Sequence, residues 1–216
     1  MLTLFDLDNT LLAGDSDHAF GDYLAAQGWV DPVEHTARND AFYADYCRGE
    51  LDIRSYTEFV LSTLKDRDAA TLSQLQQDYL NEVIRPMILP AGQQLLAEHR
   101  ARGDRIVIIT ATNRFITGPI AHLMGVDDLL ATEGEIIDGR YTGRMTGIPC
   151  YREGKVQRVE AWLRFQGLEG HPSRFYSDSH NDLPLLQWVD EPVAVDADAR
   201  LAHYAQEHGW KQISLR

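Results

Sequence analysis

The chain has 216 residues, 44% of them hydrophobic, which suits one large domain, or one domain carrying an insertion, and excludes a disordered chain. Its 20 basic residues face 33 acidic ones, and the net charge of −13 argues against nonspecific binding to nucleic acid, which needs Lys and Arg to neutralise phosphates. Two cysteines, Cys47 and Cys150, make no disulfide framework or metal-type spacing, and no apolar run approaches the ~20 residues that span a bilayer. No basic region precedes an apolar stretch at the N-terminus, and Asp6 arrives too early for a signal peptide, so a soluble cytoplasmic protein is expected.

Residues 2–6 read as a strand that runs straight into Asp6-Leu7-Asp8-Asn9-Thr10. Side chains alternate along a strand, so Asp6 and Asp8 emerge together only at its carboxyl end, the edge where open α/β sheets bind ligands. Two carboxylates at such an edge repel each other unless something positive, most simply a divalent cation, sits between them. A strand ending in an acidic turn is the alternative.

The next stretch has helical texture. Asp15 or Ser16 caps a helix reaching about Gln27, with Gly28 as its stop. Asp31-Pro32 opens a second that ends at Gly49. Asp52 caps a third, with Tyr56, Phe59, Val60 and Leu64 on one stripe, and a fourth is expected from Ala69 to Arg85. Residues 14–85 therefore read as a helical insertion.

Strand and helix alternate from Pro90 onward. A helix from Ala91 to Arg102 precedes the continuous apolar strand Arg105 to Thr110, as in a buried parallel sheet. Asn113 to Met124 reads as a helix, Glu133 to Met145 as a hairpin turning at Asp138-Gly139, and Glu153 to Phe165 as a helix. Ser173 to Ser177 and Pro192 to Val195 read as strands, with a last short one beginning at Ile213. The expected architecture is a doubly wound α/β core, residues 1–13 joined with 86–216, under a four-helix cap, residues 14–85.

Three further sites fall at the ends of core elements. Thr110 is followed by Ala111-Thr112-Asn113 at a helix entry, where a hydroxyl and free N–H groups form an anion site; ordinary capping by Thr112 or Asn113 is the alternative. Lys155 opposes the dipole at the start of its helix, so its charge has another use or is simply solvated. In Ser177-Asp178-Ser179-His180-Asn181-Asp182, one carboxylate ends a strand and a second follows one turn later, with Asn181 able to reach the same crevice.

The order strand–Asp-x-Asp, strand–Thr, helix–Lys, strand–Asp-x-x-x-Asp resembles the haloacid dehalogenase superfamily of phosphohydrolases over essentially the whole chain. Asp6-Leu7-Asp8-Asn9-Thr10 looks like its first motif, Thr110 its second, Lys155 its third and Ser177 to Asp182 its fourth. The insertion after the first motif matches the cap of the phosphoserine phosphatase-like branch. The resemblance implies Asp6 as nucleophile, forming an aspartyl-phosphate, and Asp8 as general acid and base. It implies Mg²⁺ bound by Asp6, the Asp8 backbone carbonyl and Asp178, phosphoryl oxygens held by Thr110, Ala111 and Lys155, and positioning by Asn181 and Asp182. Motif four has Ser177 and Ser179 where relatives often carry glycine, which bears on the substrate more than on the reaction.

In that branch an acidic residue just after motif one grips the substrate ammonium, and Asp15 looks like its equivalent. A cap arginine holds the substrate carboxylate, and the comparable position here is Glu58, which would repel phosphoserine. Residues 14–85 hold 14 acidic and 6 basic residues, so the cap carries −8 of the net charge of −13. Solubility explains such a charge, and so does a substrate with a cationic tail. Asp6 to Asp17 resembles a bacterial subgroup of this branch in which histidinol phosphatases are known. The expected substrate is a small phosphomonoester, histidinol phosphate ahead of phosphoserine. Transfer to an acceptor alcohol and phosphate sensing without turnover stay open. His18 and His180 are candidate substrate contacts or surface histidines, and no nucleotide fingerprint is present.

Overall fold

The computed structural model describes residues 1–216. The chain opens with β1 (Leu2–Phe5), followed by four helices, α1 (Ser16–Ala26), α2 (Pro32–Arg48), α3 (Ile53–Ser62) and α4 (Ala69–Tyr79). A π-helical stretch, Leu80–Ile84, then leads into the single turn α5 (Arg85–Met87). Next come α6 (Pro90–Ala101), β2 (Arg105–Asn113), α7 (Arg114–Met124), β3 (Asp128–Ile137) and β4 (Arg140–Thr146). They are followed by α8 (Glu153–Gln166), β5 (Ser173–Ser177), α9 (Leu183–Trp188), β6 (Glu191–Val195), α10 (Ala199–Glu207) and β7 (Lys211–Ile213).

The seven strands form one sheet in the order β4-β3-β2-β1-β5-β6-β7, parallel throughout except for β4, which runs antiparallel to β3. β1 lies between β2 and β5, so its carboxyl end opens at the centre of the sheet. Alternation along the strands divides the core into two faces. Ile106, Ile108, Tyr176, Val193 and Val195 face one way, with Leu96 of α6 and Phe115, Ile116 and Ile120 of α7. Val107, Ile109, Phe175 and Ala194 face the other, against Val159 and Leu163 of α8, Leu185 and Leu186 of α9 and Leu201 of α10. The doubly wound α/β arrangement follows from this division.

Carboxylate caps start the four inserted helices: the side chains of Asp15, Asp31, Asp52 and Asp68 each accept from a backbone N–H of the first turn. Gly49, at φ +75°, ends α2 in the left-handed conformation that glycine adopts without strain. Phe20, Leu24, Val60, Leu72 and Tyr79 from these helices join the same apolar cluster as Ile106 and Ile108 of the sheet.

Two elements differ from the sequence expectation. The fourth inserted helix leaves α geometry at Leu80, because Pro86 just ahead has no N–H to continue the ladder and the widened turn absorbs the mismatch. The hairpin strand begins at Asp128 rather than Glu133. Its first half pairs parallel with β2 (Ile108 with Leu129, Ile109 with Leu130), and only the second half pairs with β4, across a register shift between Gly134 and Ile136. The hairpin turn falls at Asp138-Gly139, both at positive φ, as expected. Its tip reaches the inserted helices, where an Arg140 guanidinium nitrogen donates to the Asp66 carbonyl at 2.8 Å. Helices α9 and α10 are additional to the expected elements. No helix is long and apolar enough to cross a membrane.

Candidate active site

Asp6 follows β1 at the centre of the sheet, its N–H donating to the Tyr176 carbonyl at 2.9 Å. Lys155, in the first turn of α8, is only 2% exposed; its Nζ lies 2.8 Å from Asp6 Oδ1 and 2.7 Å from Asp182 Oδ1. Ser177 Oγ, at the end of β5, donates to Asp182 Oδ2 at 2.7 Å. The three strand ends and the helix start that carry the expected motifs therefore meet at one edge.

Asp8 accepts at both oxygens, from the Ser16 N–H at 2.6 Å and the Thr112 hydroxyl at 2.8 Å. Thr110 is buried and lines the cleft with Ala111. β2 runs three residues past Thr110, and Asn113 caps α7, so Thr112 is free to serve Asp8. Asp178 Oδ1 accepts from the Thr10 hydroxyl at 3.1 Å. Asn181 Oδ1 accepts from the Tyr151 hydroxyl at 3.0 Å and from Arg152 at 3.2 Å, while its Nδ2 donates to the Tyr46 carbonyl at 3.1 Å. Asn181 thus ties the inserted helices to the sheet edge. Arg152 adds a second tie by donating to the Gly49 carbonyl. Arg152 holds φ +50° immediately before α8, a conformation unfavourable for a side-chain-bearing residue.

Burial and mutual repulsion shape the charges. Burial pushes the Asp6 carboxyl up to about 7; the Lys155 ammonium opposes the rise, and Asp182 and Asp8 add to it. Burial and the neighbouring Asp15 likewise push Asp8 up to about 7, against the bonds from Ser16 and Thr112. Asp178 is held well above the usual carboxylate range by burial, then by Asp6 and Asp182. Burial disfavours the charge of Lys155, but Asp182 and Asp6 outweigh it and hold the ammonium firmly protonated.

Several carboxyl groups thus crowd one ammonium at the edge, in an all-oxygen donor set that suits a hard divalent cation, whose charge would draw their protons off. No three His, Cys, Asp or Glu side chains converge as a metal cage. Two carboxylates, Asp6 and Asp178, are available there, and the rest of a coordination shell would fall to a backbone carbonyl and water.

The inserted helices wall the cleft with Phe42, Tyr43 and Tyr46 of α2, Leu51 and Ile53 at the α2–α3 corner, and Tyr56 of α3. Asp15 and Asp17 open onto the same space. Sequence reasoning missed Thr10, Ser177, Asp17 and these tyrosines as site residues. The helical spacing of Phe42, Tyr43 and Tyr46 was the available signal, but such a stripe reads equally well as core.

One sequence expectation needs correction. Glu58 does not line the cleft. Ile53 and Tyr56, three residues apart, are the α3 residues turned inward, so Glu58, two residues past Tyr56, points elsewhere on the helix and pairs with Arg54 at 3.4 Å. His180 lies outside the lining, with Nδ1 2.8 Å from Asp198 Oδ2, and His18 pairs with Asp40 at 2.9 Å. Both rings are partly buried, and each is held by a carboxylate.

A family model described as haloacid dehalogenase-like hydrolase matches residues 3–187. The chain belongs to that family. It is 42% identical to a histidinol-phosphatase of Neisseria meningitidis over all of this chain and 99% of the relative. It is 32% identical to a phosphoserine phosphatase of Mycobacterium tuberculosis, covering 98% of this chain and 70% of that one. A solved structure from Bordetella pertussis, described as of unknown function, superposes with a TM-score of 0.93 at 44% identity, covering 100% of this chain and 98% of that one. A phosphoserine phosphatase solved as a phospho-aspartyl intermediate analogue shares the fold, with a TM-score of 0.71 at 16% identity and coverage of 100% and 93%. The protein is a phosphatase of the haloacid dehalogenase-like family.

Proposed function

We propose that the protein hydrolyses small phosphate monoesters whose alcohol carries a cation, with L-histidinol phosphate as the substrate. One observation carries this reading. Asp6, Asp8, Asp15, Asp17 and Asp182 line the cleft, and its one cation, Lys155, is already paired with Asp6 and Asp182. A phosphoserine carboxylate would find no free positive partner among these residues, whereas an amine or imidazolium would meet carboxylates. The 42% identity to a histidinol-phosphatase along the full chain supports the same choice.

In the proposed reaction Asp6 attacks phosphorus and forms an aspartyl-phosphate, and water then cleaves it. Asp8 gives a proton to the leaving alcohol and takes one from the attacking water; a carboxyl raised to about 7 suits both tasks near neutral pH. Lys155 Nζ, Thr110 and the Ala111 N–H would hold phosphoryl oxygens, while Asp182 fixes Lys155 and Asn181 keeps the α2–α3 corner over the edge. Mg²⁺, held by Asp6, Asp178 and the Asp8 carbonyl, would neutralise charge between nucleophile and phosphate when bound. We read residues 14–85 as the cap that closes over the leaving group.

The test is phosphate release from L-histidinol phosphate, with and without Mg²⁺, by the native chain and by Asp6→Asn. Release that depends on Mg²⁺ and disappears in the variant is expected. Release by Asp6→Asn at the native rate would refute covalent catalysis through Asp6.

A further inference from the structure

Four of the five carboxylates that line the cleft have partners: Asp6 and Asp182 meet Lys155, Asp8 accepts from Ser16 and Thr112, and Asp15 Oδ1 accepts from the N–H groups of Asp17 and His18 at 2.9 and 2.8 Å. Asp17 is the exception. It lies in the first turn of α1, is 6% exposed, and its Oδ1 has no hydrogen-bond partner. A buried carboxyl without a partner is destabilising. No group of this chain relieves that cost, so the natural partner is a donor that enters the cleft from outside.

The surroundings say what kind of donor. Tyr43, Tyr46 and Tyr56 line the same space, and aromatic faces attract cations through their quadrupole. Burial, and then the charges of Asp17, Asp15 and Asp8, hold the Tyr56 phenol neutral, so it adds no competing anion. Asp15, by contrast, already accepts two backbone N–H groups at Oδ1 as the cap of α1, and Glu58 is outside the cleft.

We infer that Asp17, facing the wall of Tyr43, Tyr46 and Tyr56, is the specificity residue that receives the cationic end of the leaving alcohol. The assignment rests on the phosphatase reading above and moves substrate selection from Asp15 and Glu58 to Asp17. The ligand class is an alcohol bearing an ammonium or imidazolium, esterified to phosphate at the other end.

The experiment compares kcat/KM for L-histidinol phosphate with kcat/KM for p-nitrophenyl phosphate, an ester without a cation, in the native chain and in Asp17→Asn. A charge-assisted hydrogen bond contributes about 1.5–3 kcal/mol, so the ratio should fall at least about tenfold, mainly through KM for the cationic ester. An unchanged ratio overturns the inference. Should Asp17→Asn not fold, Tyr56→Leu keeps the charge and removes one aromatic face; a ratio lowered about threefold supports the site, and an unchanged one overturns it.

Failure of the parent reading looks different. If the native chain releases no phosphate from L-histidinol phosphate, that substrate is wrong, and calorimetric binding of free L-histidinol then decides the role of Asp17. Binding about tenfold weaker in Asp17→Asn upholds the inference, and equal or no binding in both proteins overturns it.

Discussion

The Thr112 hydroxyl donates to Asp8 Oδ2 at 2.8 Å, across 104 residues of sequence. Such a bond favours the charged carboxylate and opposes the burial that pushes Asp8 up to about 7. Thr112→Val keeps the shape and removes the donor. The limb of the pH–rate profile that follows Asp8 should then move to higher pH, and kcat at neutral pH should fall about tenfold, the loss of one hydrogen bond to a charged group. Thr112→Ser should behave as the native chain. Profiles of kcat against pH for the three proteins check both statements.

Lys155 is the one cation between Asp6 and Asp182. Lys155→Met leaves two buried carboxylates facing each other, and breaking such a buried pair costs about 3–5 kcal/mol in urea unfolding. Protonation relieves the repulsion in acid, so the loss should be larger at pH 8 than at about pH 5. An equal loss at both would mean that packing, not charge, is the role of Lys155.

Gly154 sets where Lys155 starts its helix. A Cβ at that position would stand 2.1 Å from the Pro149 carbonyl oxygen, a backbone atom that no rotamer change can move. Gly154→Ala should therefore lower stability by about 1–3 kcal/mol and reduce kcat by shifting Lys155.

Asp17 gives a pH signature of stability. Burial, and next Asp15 and Asp8, hold its carboxyl well above the usual range. A raised carboxyl pKa means that the folded chain holds a proton which the unfolded chain has released. Its contribution to stability is present in acid and lost as pH rises. Asp17→Asn has no such proton to lose. The melting temperature of Asp17→Asn minus that of the native chain should therefore become more positive from about pH 5 to about pH 8. A flat difference would show that Asp17 finds a partner within the chain.

Much of the edge was legible because each motif marks an element boundary. Asp6 and Asp8 after an apolar strand, Thr110 at the end of another, and Asp178 four residues before Asp182 need no tertiary information to be suspected. The rest depends on partners. β3, Asp128–Ile137, changes its pairing from β2 to β4 along one strand, so no single period describes it. Glu58 fails because alignment position does not say which side of α3 turns inward, and Tyr56 took that side. Asp17 reads as an ordinary first-turn acid favoured by the helix dipole. Only the fold shows that its Oδ1 is buried with nothing to accept from.

Charge complementarity between cleft and leaving group is the central claim, and one comparison tests it most directly: kcat/KM of the native chain with Mg²⁺ for L-histidinol phosphate against L-phosphoserine. The account predicts that histidinol phosphate is favoured by at least about tenfold, because the carboxylate of phosphoserine would face Asp15 and Asp17 with no free cation to offset them. Phosphoserine turned over as fast or faster would contradict it.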